Sequence, residues 1–307
     1  MQPYFQKFKN NLELDPTFAE KVSTRHNAVR EYLQNNHPGY KDAKLIGSLQ
    51  RKTRINPGTT GKFDIDMIVV MGEFTHWLPA GQGLTPQVAI ASLHATVEAS
   101  ARYNAMEPVP DAPAVTLTGA DDIQVQLVPA YVDKIGRDSQ GRELGSMGRG
   151  YWVAKGNSWY IADYDHEADW ISNTNVISVG HLIPAIKMLK AIKRLYFPSL
   201  ESFPLEIVAA ALLPEFIIGK EMGNEPIFYQ DMVLTFFERA SGYLSNPIQI
   251  PGSKSLPIRL TLAHASQLAN KFSQIVQYIK GTATLGAEKD RVERWRKLCG
   301  DQFPATL

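Results

Sequence analysis

Residues 47–71 of this chain read GSLQRKTRINPGTTGKFDIDMIVVM, a Gly-Ser pair and a turn-rich stretch that lead into an apolar, β-branched run. The run predicts a largely buried β-strand, in which successive side chains point to opposite faces of a sheet. Asp64 and Asp66 are two positions apart, so we expect their carboxylates to point to the same side of the strand. Two like charges held this close in a half-buried strand require a cation.

The chemistry expected at these carboxylates is the binding of Mg²⁺ together with a polyphosphate. Mg²⁺ prefers carboxylate oxygens and completes its coordination shell with phosphate and water. Gly47 and Ser48 precede the strand, and such a turn supplies a backbone N–H and a hydroxyl to phosphates at close approach. An Asp-x-Asp pair standing alone is more often a solvated strand edge, but the apolar flanks of this one favour a functional site. The residues therefore predict a site of nucleotidyl transfer.

The composition of the chain excludes several classes of protein. Its 307 residues are 44% hydrophobic and carry a net charge of +1, which is ordinary for a globular protein and unlike a strongly basic nucleic-acid binder. The single cysteine, Cys299, excludes an intramolecular disulfide and a cysteine-based metal cluster, and it fits a reducing compartment. No apolar run has the length of a signal peptide core or a membrane span. We expect a soluble, cytoplasmic protein.

The spacing of apolar residues predicts a mixed α/β first half and a helical second half. We expect strands over residues 44–49, 63–71, 114–118 and 123–131, and helices over 16–36, 85–103, 179–196, 203–213, 231–244, 260–279 and 288–298. Loops are predicted at 56–61, around 78–83 and at 138–150, the last of them mobile because it is rich in Gly, Ser and Arg. The division predicts two lobes, residues 1–175 and 176–307, with a cleft between them.

Several sequence elements resemble, in the same order, those of the bacterial cyclic-oligonucleotide synthases, the CD-NTase relatives of animal cyclic GMP-AMP synthase. The elements are GSLQRKTRI at residues 47–55, FDID at 63–66, QLVPA at 126–130, WYIADYDHEADWISNTN at 159–175, the pair Leu189-Lys190 with SFPLE at 202–206, and WRKLCGDQFP at 295–304. They extend over most of the chain, which makes the resemblance fairly specific.

This resemblance implies both a fold and an activity. The fold is a polymerase-β-like nucleotidyltransferase core with an appended helical lobe and the active site in the cleft between them. The activity is the template-independent joining of ATP and other nucleoside triphosphates (NTPs) into a cyclic di- or trinucleotide, with Mg²⁺ or Mn²⁺ as cofactor and pyrophosphate released. The product would activate a downstream effector in anti-phage (CBASS) defence. We expect a monomer without a membrane or a stable long nucleic acid as partner.

The resemblance also implies roles for individual residues. The metal is expected on Asp64 and Asp66, and the nucleotide on Gly47, Ser48, Arg51, Lys190 and Ser202. Two of these roles have alternatives that the sequence leaves open. Lys190 has further basic residues nearby, which is also typical of a solvated helix face. Ser202 precedes an apolar helical segment, where a serine is at least as often the N-cap.

Position 126 departs from the family pattern, which usually has a third catalytic aspartate before Leu-Val-Pro-Ala. Gln126 offers a carbonyl oxygen to a metal, but it has no charge and cannot act as a base. Three explanations stay open. The site works with two carboxylates, or the position was changed in a way that traps substrate, or the strand is misaligned and a bulge brings Asp121 or Asp122 into the site. Asp122 would point to the same face of the strand as Gln126, but the two positions are four residues and therefore about 13 Å apart.

In all three cases we expect the binding of Mg²⁺-nucleotide to survive. The alternative to a working synthase is therefore a catalytically weakened relative that binds Mg²⁺-NTP without efficient turnover. A transferase that modifies RNA or protein is a further alternative, which the near-neutral charge disfavours.

Overall fold

The description rests on a computed structural model and covers residues 1–58, 63–74, 85–111, 113–133 and 150–307. The loop predicted around residues 78–83 lies outside the described residues, as do residues 59–61 and 138–149 of the other two predicted loops.

A mixed sheet forms the centre of the first lobe. Within the described residues it has seven strands in the order β1-β2-β5-β4-β3, and β6 pairs with both β5 and β7. The strands are β1 Asp42–Leu45, β2 Phe63–Phe74, β3 Val109–Asp111, β4 Ala114–Thr118, β5 Ile123–Asp133, β6 Tyr151–Lys155 and β7 Ser158–Ala162. The two long central strands, β2 and β5, run parallel, while the other pairs are antiparallel.

Helices cover the sheet and build the second lobe. They are α1 Gln2–Asn11, α2 Pro16–Asn36, α3 Gly47–Gln50, α4 Pro86–Glu98, α5 Ala101–Asn104, α6 Tyr164–Ile177, α7 Leu182–Tyr196, α8 Ser202–Met222, α9 Tyr229–Arg239, α10 Ser241–Leu244, α11 Leu262–Ala283 and α12 Glu288–Cys299. The prediction of a helix over residues 16–36 is confirmed to the residue. Thr85 caps α4 by accepting a hydrogen bond from the backbone N–H of Val88 at 3.3 Å.

The structure corrects several predicted boundaries. The strand predicted over residues 44–49 ends at Leu45, and the helical turn α3 takes up the residues from Gly47 onward. The helix predicted to end at residue 213 continues through Pro214 to Met222. The hairpin of β6 and β7 and the helix α6 were not predicted, because residues 151–177 mix aromatic and acidic residues without a clear period.

Three clusters of buried side chains hold the molecule together. One lies between the sheet and helices α2 and α4, and a smaller one lies against the opposite face of the sheet. The largest fills the helical lobe and includes α1, whose Phe5 contacts the rings of Trp295 and Phe303 at 4.8 and 5.2 Å between centroids. The first helix of the chain therefore packs among the last helices. The lobe boundary at residues 175 and 176 stays a prediction.

Helix α8 has the length and hydropathy of a membrane span, but 56% of that segment is buried inside the protein. Such burial is typical of the core helix of a soluble protein. Helices α6 and α7 have the length and hydropathy of a second membrane span only if they are counted together, although they are sharply bent against each other.

Candidate active site

The alternation of side chains along β2 divides the strand into a core face and a cleft face. Ile65 and Met67 are fully buried against α2 and α4. Asp64 and Asp66 point the other way and line a cleft of about 430 Å³. The cleft lies between the two lobes and is lined by Gly47, Ser48, Arg51, Arg54, Ile55, Pro57, Asp64, Asp66, Lys190, Lys193, Arg194, Ser202 and Glu206. Every residue predicted to bind the nucleotide or the metal belongs to this lining.

The turn at Gly47 is pressed against Asp66. The backbone N–H of Ile46 donates to the Asp66 carbonyl at 2.9 Å, and Gly47 has a positive φ of +67°. A Cβ atom on Gly47 would lie 2.8 Å from a carboxylate oxygen of Asp66, closer than such atoms approach. Only glycine combines this backbone conformation with this approach. The turn and the carboxylate therefore form one continuous surface.

The carboxylate pair is poorly stabilised by the protein itself. Burial raises the pKa of Asp66, and the nearby charge of Asp64 raises it further, while Arg54 and Arg51 oppose the shift. Two carboxylates whose pair is disfavoured in this way fit a hard divalent cation that accepts oxygen ligands. Among the described residues no group of three or more Asp, Glu, His or Cys side chains could hold a metal. The protein donors of such an ion would thus be Asp64 and Asp66.

Gln126 occupies the position on β5 directly beside Asp66. The parallel register pairs Asp66 with Gln126 and Asp64 with Gln124, and it stays regular up to Val70. The carboxylate of Asp121 is engaged elsewhere, because it forms an ion pair with Arg25 of α2 at 2.8 Å. Over the described stretch from Phe63 to Val70 the register has no bulge that would bring Asp121 or Asp122 toward the pair, so the explanation by a misaligned strand is wrong.

Arg51 and Lys190 share a single buried partner, Glu206 of α8. The Arg51 Nε and Lys190 Nζ atoms lie 2.8 and 2.5 Å from its carboxylate oxygens, and the Glu206 side chain has no exposed surface. Burial raises the pKa of Glu206, but its two cationic neighbours outweigh burial and leave the pKa lowered. We call these three residues the clasp. Because the clasp buries Lys190, the alternative of a solvated helix face is wrong for that residue.

A second acidic residue ties the turn to helix α6, which follows the hairpin of β6 and β7. The Gln50 side chain, at the end of α3, donates to a carboxylate oxygen of Asp165 at 2.9 Å. Asp165 belongs to the first turn of α6 and also accepts from Lys44 and from the Tyr151 hydroxyl, at 3.1 and 2.6 Å. Together with the clasp, this contact fixes α3 to both α6 and α8.

The two predicted serines line the cleft from different helices. Ser48 follows Gly47 in α3, and Ser202 is the first residue of α8. Glu201 occupies the N-cap of α8, so the alternative in which Ser202 is the cap is wrong. The assignment of phosphate contacts to both serines stays a prediction.

Sequence analysis missed four charged residues of the cleft lining, Arg54, Lys193, Arg194 and Glu206, although two signals were available. Lys190, Lys193 and Arg194 follow the i, i+3, i+4 spacing that puts side chains on one side of a helix. Glu206 is an acidic residue inside an apolar helix, which is expensive unless it is paired.

The cleft is locally positive although the chain is nearly neutral. Its described lining has five cationic side chains, namely Arg51, Arg54, Lys190, Lys193 and Arg194, against three carboxylates. An anionic ligand that brings its own divalent cation complements both groups at once.

Comparison with known proteins agrees with this arrangement. Residues 1–175, more than half of the chain, match the model of the family described as the Second Messenger Oligonucleotide or Dinucleotide Synthetase domain. The chain belongs to this synthetase family. Its resemblance to the bacterial CD-NTases, drawn above from sequence motifs, is thereby confirmed. A comparison with curated protein sequences finds no match.

Three solved structures share the fold at low sequence identity. E. coli MS115-1 CdnC, solved with ATP, has 16% identity and a TM-score of 0.69 over 99% of this chain and 98% of its own. Bradyrhizobium diazoefficiens CdnG, solved with GTP, has 13% identity and a TM-score of 0.68 over 98% and 95%. The Rhodothermus marinus CdnE c-UMP-AMP synthase has 12% identity and a TM-score of 0.66 over 94% of this chain and 99% of its own. The predicted fold, a nucleotidyltransferase sheet with an appended helical lobe, is confirmed.

Proposed function

We propose that this synthetase family member is a template-independent nucleotidyltransferase that joins nucleoside triphosphates into a cyclic di- or trinucleotide and releases pyrophosphate. The observation that carries the proposal is the contact of Gly47 with Asp66. A Cβ at position 47 would meet the carboxylate at 2.8 Å, so the turn that suits phosphates and the carboxylates that suit a metal are directly adjacent. Adjacent sites for phosphate and for a metal are what a metal-bound triphosphate requires.

Different residues of the cleft would have different roles in the reaction. Asp64 and Asp66 would hold Mg²⁺ or Mn²⁺, which when bound offsets charge on the phosphates and increases the acidity of the attacking hydroxyl. Ser48 and the backbone of its turn would orient the triphosphate. A ribose hydroxyl attacks the α-phosphate and gives up its proton to a phosphate oxygen or to water, a new P–O bond forms, and the bond to pyrophosphate breaks. The cationic lining of the cleft stabilises the charge that accumulates on the leaving pyrophosphate.

A second candidate function is supported by Gln126. It occupies the strand position beside Asp66, where the family usually has a third carboxylate, and an amide cannot accept the proton of the attacking hydroxyl. In this alternative the chain is a weakened relative that binds Mg²⁺-NTP without efficient turnover. Its signal would be the bound state itself, through lobe closure or a partner.

The partners follow from the chemistry and are proposed with it. NTPs, ATP among them, are the substrates, in keeping with relatives solved with ATP and with GTP. We further propose a cytoplasmic monomer whose product, rather than a contact, activates an effector in anti-phage signalling.

Product analysis separates the two functions. The protein is incubated with all four radiolabelled triphosphates and Mg²⁺ or Mn²⁺, treated with phosphatase and examined by chromatography. A phosphatase-resistant product from the natural chain, absent from Asp64→Asn, supports the synthase. If only Gln126→Asp yields that product while the natural chain binds ATP, the weakened relative is supported instead.

A further inference from the structure

The cationic side chains of the cleft differ in whether the protein already supplies their hydrogen-bond partners. Lys190 has an ammonium group with three N–H donors, and three acceptors surround it. They are a Glu206 carboxylate oxygen at 2.5 Å and the carbonyl and hydroxyl oxygens of Thr53 at 3.0 and 3.2 Å. A phosphate could reach Lys190 only by displacing one of these internal partners.

Arg51 is committed in the same way. Its Nε donates to Glu206 at 2.8 Å, and its guanidinium lies over the Phe203 ring at 4.3 Å from the centroid. Both contacts are made to α8, and the Arg51 side chain is 7% exposed. The clasp therefore joins α3 to the helical lobe and has little capacity left for a ligand.

Arg54, in contrast, has a guanidinium group whose hydrogen-bond donors are unpaired among the described residues. Its guanidinium makes no hydrogen bond or ion pair with any described residue, and its Nε is buried without an acceptor. The side chain is nevertheless held in place, because it lies over the Phe63 ring at 4.0 Å and its backbone N–H donates to the Ser48 carbonyl at 3.1 Å. It lines the cleft with Asp64 and Asp66. Burial lowers the pKa of Arg54, while those two carboxylates oppose the shift.

Lys193 provides a second such cation from the other lobe. It follows Lys190 by three residues on α7, so the two side chains lie on the same side of the helix. Lys193 is half-buried in the cleft lining, and within the described part of the chain its ammonium has no hydrogen bond or ion pair. Burial lowers the pKa of Lys193, and the charge of Glu201 partly offsets this.

We propose that Arg54 and Lys193 bind the β- and γ-phosphates of the triphosphate, whereas Arg51, Lys190 and Glu206 are positioning residues that hold α3 against the helical lobe. The assignment rests on the proposed function. Its physical reason is that a partly buried cation without a hydrogen-bond partner lowers the free energy of a complex by gaining one, whereas a paired cation must first lose its partner. Arg54 and Lys193 belong to different lobes, so a triphosphate held by both would also join the lobes across the cleft.

Binding of ATP and AMP to the full chain in Mg²⁺ tests the assignment, because the two ligands differ only in the distal phosphates. We expect Arg54→Ala and Lys193→Ala each to weaken ATP binding about tenfold or more, the effect of one charge-assisted contact, and to change AMP binding by less than about threefold. Their melting temperatures should stay within about 2–3 °C of the natural chain, since neither side chain loses a hydrogen bond or ion pair to a described residue and Arg54 loses only its contact with the Phe63 ring.

Lys52→Ala is the matched control. Lys52 is an exposed cation two residues before Arg54 and outside the described lining of the cleft, so its removal changes the net charge by the same amount without changing the site. Affinity for both nucleotides should stay within about twofold of the natural value.

Different outcomes overturn different conclusions. ATP binding that survives in both alanine variants, or that falls equally in Lys52→Ala, would overturn the assignment and leave the proposed function standing. An equal loss of AMP binding in Arg54→Ala and Lys193→Ala would also overturn it. If the natural chain binds no triphosphate at all, the proposed function fails and the assignment fails with it.

Discussion

The carboxylates of Asp66 and Glu206 face the same cleft and are stabilised in opposite ways. Glu206 is fully buried, yet two cations in direct contact keep its pKa lowered. Asp66 is partly buried beside another carboxylate, without a direct ion pair among the described residues, and burial keeps its pKa raised. The charge of Glu206 is thus neutralised by side chains of the protein itself. The charge of Asp66 has no such partner among the described residues, so a bound cation can neutralise it. This difference distinguishes a structural carboxylate from one that binds a ligand.

The largest effect of this difference should be on activity. We expect Asp66→Asn to lower turnover about a thousandfold or more, because the amide removes the charge that holds the metal. The same substitution should leave the free energy of unfolding without metal unchanged or increased, since it removes a charge that burial disfavours. Product formation and urea denaturation measure the two effects. A clear loss of stability would contradict our view that the protein itself does not satisfy Asp66.

Glu206→Gln should affect stability most. Removing the carboxylate leaves two buried cations without their partner, and breaking such a group typically lowers the free energy of unfolding by about 3–5 kcal/mol. Glu238→Gln is the matched control, since Glu238 forms an ion pair with Lys280 at 2.7 Å in which both side chains are more than a third exposed, at 38% and 54%. We expect that change to cost less than about 1 kcal/mol. Similar losses in both variants, measured by urea denaturation, would refute the special position of the clasp.

Gly47→Ala tests the close approach of the turn to Asp66. The new methyl group would overlap the carboxylate oxygen and strain a backbone with φ of +67°. We expect a stability loss of about 1–2 kcal/mol from the backbone alone and, in addition, at least about tenfold weaker Mg²⁺ binding. Gly58 has a similar φ of +74° with no atom within 4 Å of the added methyl group. Gly58→Ala should therefore show the stability loss without weaker metal binding, as measured by calorimetric titration.

The smallest effect should be a pH dependence of stability. A carboxyl whose pKa is raised in the folded state favours folding less as the pH rises from the unfolded value through the folded one. Without metal, the natural chain should therefore lose stability relative to Asp66→Asn as the pH rises above about 4, the ordinary pKa of an aspartate, and the two should agree most closely at the acidic end. Urea denaturation at several pH values measures this. A difference independent of pH would show that ionisation of Asp66 is not its cause.

Local sequence carried much of the prediction. The alternation of polar and apolar residues in β2 established that Asp64 and Asp66 share a face, and the structure confirms it because strand geometry depends only on neighbouring residues. The predicted bounds of helix α2 were correct for the same reason, because the spacing of its apolar residues and Pro16 at its first position are local features. Family resemblance, rather than spacing, pointed to Lys190 and Ser202. Both line the cleft.

What local sequence did not reveal is which charges pair with one another. Arg51 and Glu206 are 155 residues apart, and Lys190 contacts Thr53 across 137 residues. No periodicity encodes such contacts, because they depend on how two lobes pack. The same holds for α1, which packs with Trp295 and Phe303 of the helical lobe although it begins the chain.

The sequence by itself determined the strand with its two carboxylates, the glycine before it, the amide at position 126 and the family to which these motifs belong. Each of these is a property of residues close together in the chain or of a motif order that homologous chains share. The tertiary structure alone decided that Gln126 stands beside Asp66 and that Arg51 and Lys190 are spent on Glu206. It also left Arg54 and Lys193 without a hydrogen bond or ion pair to any residue that the structure describes. Pairing of buried charges is settled by distance and desolvation in three dimensions, and these quantities do not exist until the two lobes meet.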